Sequence, residues 1–150
     1  MKWDCVMSGL SVGPDPREDA DFDALKAANI TAILSLQTHT DLRDRAVDWE
    51  ERSARASGMA YRNVPVTDFD PADLRRKLPE CVVALNEMLQ AGHSVYVHCT
   101  AGVSRSPTVV AAYLHWCLDW PLEEAVSHLK GIRACTPNWE AINRARWPVP

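Results

Sequence analysis

The segment from Val95 to Pro107 narrows the possible folds more than any other stretch of the chain. Val95-Tyr96-Val97-His98 is a short β-branched and aromatic run, the pattern of a buried strand. It leads into Cys99, then the small-residue stretch Thr100-Ala101-Gly102-Val103-Ser104, then Arg105-Ser106-Pro107, a strong helix start. The helix continues on an apolar face through Val109, Val110, Tyr113, Leu114 and Cys117. Strand, tight loop and helix in direct succession place a cysteine and an arginine at the C-terminal edge of a sheet, where open α/β folds bind ligands.

The chemistry follows from what a cysteine needs in order to attack. The thiolate is the nucleophile, and backbone N–H groups, a helix N-terminus or a cation stabilise it. All three are in prospect at Cys99: the amides of Thr100, Ala101, Gly102, Val103, Ser104 and Arg105 can turn toward one point, and the helix opening at Ser106-Pro107 adds its positive end. The same donors suit the oxygens of a phosphate, with Arg105 adding a planar two-pronged grip that lysine lacks.

An alkoxide or phenolate leaving such a phosphate needs a proton, and a carboxylic acid on a facing loop is the natural donor. The acidic turn after Val64-Pro65-Val66-Thr67 offers Asp68, Asp70 and Asp73. Asp70 precedes Pro71 and reads as a helix cap, and Asp73 suits the first helical turn, which leaves Asp68 with the weakest structural explanation.

The remaining pattern alternates strands and helices. Cys5 to Met7, Ile33 to Leu36 and Ala60 to Val64 read as strands; Asp19 to Ala28 and Ala46 to Ser57 read as helices. Leu74 and Leu78, then Val82, Leu85 and Leu89, give helical spacing on either side of Pro79, and Leu122, Ala125, Val126 and Leu129 give another helix face. Thr136-Pro137 reads as the cap and first residue of a last helix, which Pro148 closes. The expected fold is α/β, one domain over residues 1–150, with a mainly parallel central sheet covered by helices on both faces.

A net charge of −4 with no basic tract speaks against a nucleic-acid partner. No stretch approaches the length of an apolar membrane span, and the N-terminus carries no signal-peptide core, so a cytoplasmic protein without a membrane partner is expected. The five cysteines form neither a disulfide framework nor a zinc pattern; Cys81 and Cys117 read as core residues, and no metal or other cofactor is expected. The six tryptophans read mainly as packing residues, with Trp3 and Trp147 as tethers near the termini. Lys130 and Arg133 read as complements to a helix dipole.

His98-Cys99, five further residues, then Arg105-Ser106 resembles the signature of cysteine-dependent phosphatases, and Ala101-Gly102 with Ser106-Pro107 resembles the dual-specificity branch. The resemblance implies a thiophosphate intermediate on Cys99, substrate and transition-state binding by Arg105, assistance from Ser106 in breaking the intermediate down, and support of the thiolate by His98. In that family the acid follows a strand-Pro-apolar-x pattern well before the cysteine, which favours Asp68. Longer stretches resemble the plant starch phosphatases and laforin-type catalytic domains: Leu36-Gln37-Thr38 with Asp41-Leu42, Val47-Asp48, Asp68-Phe69-Asp70, Asp73-Leu74-Arg75, Leu78-Pro79, and Arg133 through Asn138. That implies a phosphorylated glucan substrate, with Phe69 as an aromatic sugar contact. The chain departs from the plant pattern at Asp44-Arg45, where those enzymes carry an aromatic pair, at Thr136 in place of a phenylalanine, at Ser104 in place of a glycine and at Ser35 in place of a redox cysteine. A phosphoprotein substrate is the alternative, a silent phosphate- or glucan-binding module a third, and a monomer is expected.

Overall fold

Short apolar runs in this chain pair into one sheet, and helices cover both of its faces. The computed structural model describes residues 1–148. The strands are β1 (Asp4–Met7), β2 (Leu10–Gly13), β3 (Ala32–Ser35), β4 (Ala60–Asn63) and β5 (Val95–His98), in the order β1-β2-β5-β3-β4. β1 pairs with β2 antiparallel; β2, β5, β3 and β4 are mutually parallel. β5 is therefore central, with Val97 between Val12 and Leu34, and His98 between Gly13 and Ser35.

Strand side chains alternate between faces. Ile33 and Tyr96 pack with Phe22 and Leu25 of α1 (Asp19–Ala27) and Ala54 of α3 (Trp49–Ala56). Ala32, Leu34, Val95 and Val97 pack on the other face with α4 (Pro71–Gln90), α5 (Arg105–Leu118), α6 (Leu122–Ile132) and α7 (Trp139–Arg144). α2 (His39–Leu42) is a single turn after β3. All four parallel strands point the same way, so the loops after β2, β3, β4 and β5 gather at one edge.

The differences from the sequence pattern are local. β2 has four residues between Gly9 and Pro14, and those neighbours mask it as a turn. α3 starts at Trp49 rather than Ala46. α4 runs unbroken through Pro79, because Leu74, Leu78, Cys81, Val82, Leu85 and Met88 bury one continuous face on both sides of the missing N–H. α7 is capped by Asn138, whose side chain accepts from the Ala141 N–H, rather than by Thr136, and it ends at Arg144, before Pro148.

Apart from Trp139, the tryptophans pack against other rings. Trp116 stacks on Trp147 with centroids 4.7 Å apart, Trp49 meets Phe22 edge-on at 5.5 Å, and Trp3 meets Tyr96 edge-on at 6.2 Å. Trp139 is the exposed member of the set. No helix among the described residues is long and apolar enough to cross a membrane.

Candidate active site

The loop between β5 and α5 is held from behind by every carbonyl it has. The Cys99 carbonyl faces His98 Nδ1 at 2.8 Å, and the Thr100 carbonyl accepts from the Asp15 N–H at 3.0 Å. Arg133 donates from Nη2 to the Ala101 carbonyl at 3.0 Å and from Nε to that of Gly102 at 2.8 Å. The Val103 carbonyl accepts from the Thr136 N–H at 2.7 Å, and the Ser104 carbonyl accepts from Thr108 N–H and Oγ1. Among the described residues the N–H groups of Thr100 through Ser104 donate to no protein acceptor. With the oxygens tied outward, this run of unpaired donors is a nest for an anion.

Gly102 is required for that path. Its φ is +69°, and a Cβ there would lie 2.5 Å from the Gly13 carbonyl carbon and 2.7 Å from Arg133 Nη2. Gly13 lets the loop approach β2 closely, since its own Cβ would fall 2.6 Å from both Trp3 Cβ and the Tyr96 hydroxyl.

Cys99 and Ser106 are both buried, with Sγ and Oγ 3.3 Å apart, so the hydroxyl can donate to a thiolate. Arg105, 3 % exposed, is gripped by Asp41: Nη1 to Oδ2 at 2.9 Å and Nη2 to Oδ1 at 3.0 Å. Nη1 also donates to the Val66 carbonyl at 2.8 Å, and Nη2 lies 3.2 Å from Asp68 Oδ2. Its Nε–H makes no hydrogen bond among the described residues, leaving it for a ligand. Burial would raise the Asp41 pKa, but Arg105, the Thr38 N–H and the Thr100 hydroxyl outweigh burial and hold it at about 2.

The facing acidic loop sorts its three carboxylates by role. Asp70 caps α4 by accepting from the Asp73 N–H at 3.0 Å. Asp73 is turned inward, where Oδ2 accepts the Thr67 N–H at 2.8 Å and Oδ1 meets Arg76. Asp68 alone reaches Arg105. Phe69, with φ +58° and 96 % exposed, projects into solvent beside it. Thr67, Asp68, Phe69, Leu74, Ser104 and Arg105 border one cavity, so the acid, the aromatic and the anion loop share a mouth.

The structure thus gathers the cysteine, the arginine, Ser106, His98 and Asp68 that the sequence singled out. Sequence reasoning missed Asp41, Asp15 and Arg133. Arg133 acts on the loop rather than as a dipole complement, and its guanidinium is further fixed by Asp4 at 3.1 Å. Asp15 takes Arg45 at 2.7 Å and Gln37 at 3.0 Å, so Arg45 is a strut against the loop that follows β2. Ser35 accepts the Gln37 N–H at 3.2 Å.

The geometry agrees with what comparison with known proteins returns. Residues 16–144 match the family described as dual specificity phosphatase, catalytic domain. Phosphoglucan phosphatase LSF1, chloroplastic, of Arabidopsis thaliana is 37% identical over 151 residues, covering 99% of this chain and 26% of that protein. Human dual specificity protein phosphatase 22 is 31% identical over 134 residues, covering 89% of this chain and 66% of that protein. The chain therefore spans about a quarter of the plant relative's length and about two thirds of the human one's. The crystal structure of Tk-PTP in its active form superposes with TM-score 0.77 at 20% identity, covering 94% of this chain and 90% of that one, which shows the shared fold. On the extent of these matches, this chain belongs to the dual-specificity phosphatase family.

Proposed function

We infer that this chain hydrolyses phosphate monoesters through a thiophosphate on Cys99. The observation that carries the reading is the loop whose carbonyls are all tied outward around a buried cysteine, with a partly uncommitted Arg105 guanidinium at the same point. A bound phosphate dianion takes the free N–H groups of Thr100 through Ser104 and the Arg105 Nε–H, which sets phosphorus in line with Cys99 Sγ. Sulfur attacks, the bond to the leaving oxygen breaks, and Asp68 gives that oxygen its proton. Asp68, now a carboxylate, takes a proton from the water that attacks the thiophosphate, and the Ser106 hydroxyl stabilises the departing thiolate. On binding, phosphate displaces Asp68 from Arg105 Nη2, which frees the acid to face the leaving group.

The substrate this reading favours is a phosphorylated glucan. It is supported by the phosphoglucan phosphatase at 37% identity and by Phe69, whose exposed ring lies at the mouth beside the acid, where it can stack on a sugar. A phosphoprotein substrate is the second reading. It draws on Asp44-Arg45 and Ser104, and on the relative named a dual specificity protein phosphatase.

Phosphate release from solubilised phosphorylated amylopectin, a phosphotyrosine peptide and an aryl phosphate, each with Cys99→Ser as blank, separates the two. Faster release from the glucan, reduced by Phe69→Ala, is the expected result. Release from the peptide and aryl phosphate alone would overturn the glucan assignment and leave the Cys99 chemistry standing.

A further inference from the structure

Behind the anion loop lies a charge pair that the mechanism above does not use. His98 is completely buried and Glu50 is 4 % exposed. Glu50, on the first turn of α3, sets Oε2 2.5 Å from His98 Nε2, and the other ring nitrogen, Nδ1, lies 2.8 Å from the Cys99 carbonyl. A carbonyl accepts and never donates, and a carboxylate does the same. Each ring nitrogen of His98 therefore faces an acceptor, and either neutral tautomer would set a lone pair against an oxygen. We propose that Glu50 is a positioning residue for the nucleophile: it keeps His98 a permanent imidazolium whose charge and Nδ1–H fix the Cys99 carbonyl and favour the adjacent thiolate.

The surroundings leave Glu50 as the counter-charge for this role. Tyr96 stacks on the His98 ring at 5.8 Å, and Tyr61 of β4 lies near Glu50; burial pushes both phenols up, so both stay neutral. α1 presents Phe22 and Leu25 to this face, while its Asp21 is engaged by the backbone N–H groups of Arg17 and Glu18. Asp15 is committed to Arg17 and Arg45. Burial by itself pulls the His98 pKa down; the charge and hydrogen bond of Glu50, with the Cys99 carbonyl and sulfur, outweigh it and raise it. Because the carboxylate is fixed, the imidazolium persists when the Cys99 sulfur is esterified as the thiophosphate and negative charge lies on the phosphoryl oxygens rather than on sulfur. His98 thus never has to change protonation during turnover.

The proposal rests on Cys99 as nucleophile, so its test reads His98 directly. In 15N-histidine-labelled wild-type protein, both ring nitrogens of His98 should carry protons at about pH 7, above the ordinary histidine value. A bare Nε2 or Nδ1 at that pH, including the arrangement with the proton on Glu50, overturns the proposal. Glu50→Gln keeps the shape and one acceptor but removes the charge. Its His98 should lose the raised pKa and be neutral at about pH 7, and alkylation of Cys99 by iodoacetamide at about pH 6.5 should slow about tenfold or more. Glu50→Asp, where the carboxylate remains, should recover part of that rate. Unchanged alkylation in Glu50→Gln with a native-like spectrum overturns the proposal, whereas inactivity of Cys99→Ser bears only on the nucleophile assignment.

Discussion

Replacing Asp41 with asparagine removes the charge that orients Arg105 while leaving the side chain's volume. The carboxylate is held from the usual 3.8 down to about 2, despite burial, by Arg105, Thr38 and Thr100. A shift of that size is worth about 2 kcal/mol of folding stability at neutral pH. The folded-state value is the lower one, so this stability is fully present above the unfolded value and is lost as pH falls toward the folded one. By linkage, roughly half of it remains at about pH 3. In Asp41→Asn one amide N–H faces a guanidinium nitrogen, and Arg105, still buried, keeps only Val66, Thr100 and Asp68. Urea denaturation should therefore show the variant less stable by about 2 kcal/mol at pH 7, with the gap shrinking to about 1 kcal/mol near pH 3. KM for an aryl phosphate should rise as well, because the guanidinium loses its anchor. A gap under about 0.5 kcal/mol at pH 7, or one that does not shrink with acid, would refute the view that the Asp41–Arg105 pair is a strong charged contact.

Arg133→Met strips two donors from the Ala101 and Gly102 carbonyls, so vanadate affinity should fall about tenfold and stability by about 2–3 kcal/mol; unchanged vanadate binding by calorimetry would deny Arg133 its role in shaping the loop. Asp68→Ala should reduce turnover of a sugar phosphate about 100-fold or more and that of an aryl phosphate much less; equal small effects in steady-state kinetics would remove Asp68 as the proton donor.

The contiguous part of the site was legible because its chemistry is local. Cys99, Arg105 and Ser106 lie within one strand–loop–helix unit, and the sequence neighbours that shape the unit are the ones to which the proposed chemistry is assigned. Asp68 was separable from Asp70 and Asp73 because capping has its own local signature, which Pro71 reinforces. Asp41, Arg133 and Asp15 act across long stretches of chain, and only folding brings them to the loop. Signals for some of them exist: Thr38 to Asp41 has capping-box spacing, and the box is present. Glu50 lies four residues before the buried Ala54, a charged residue on the inward face of a helix, which marks it as paired. β2 was hidden for the opposite reason, since glycine and proline flank so short a strand that turn chemistry dominates its pattern.

The central claim, that Cys99 carries the phosphoryl group, is tested most directly by acid-quenching the Asp68→Ala protein within milliseconds of mixing with an aryl phosphate and reading the mass of the Cys99 peptide. The account predicts a phosphorylated Cys99, absent in the Cys99→Ser counterpart, with a burst of phenol equal to the enzyme present. An unmodified Cys99 peptide during turnover, or label on any other residue, would contradict it.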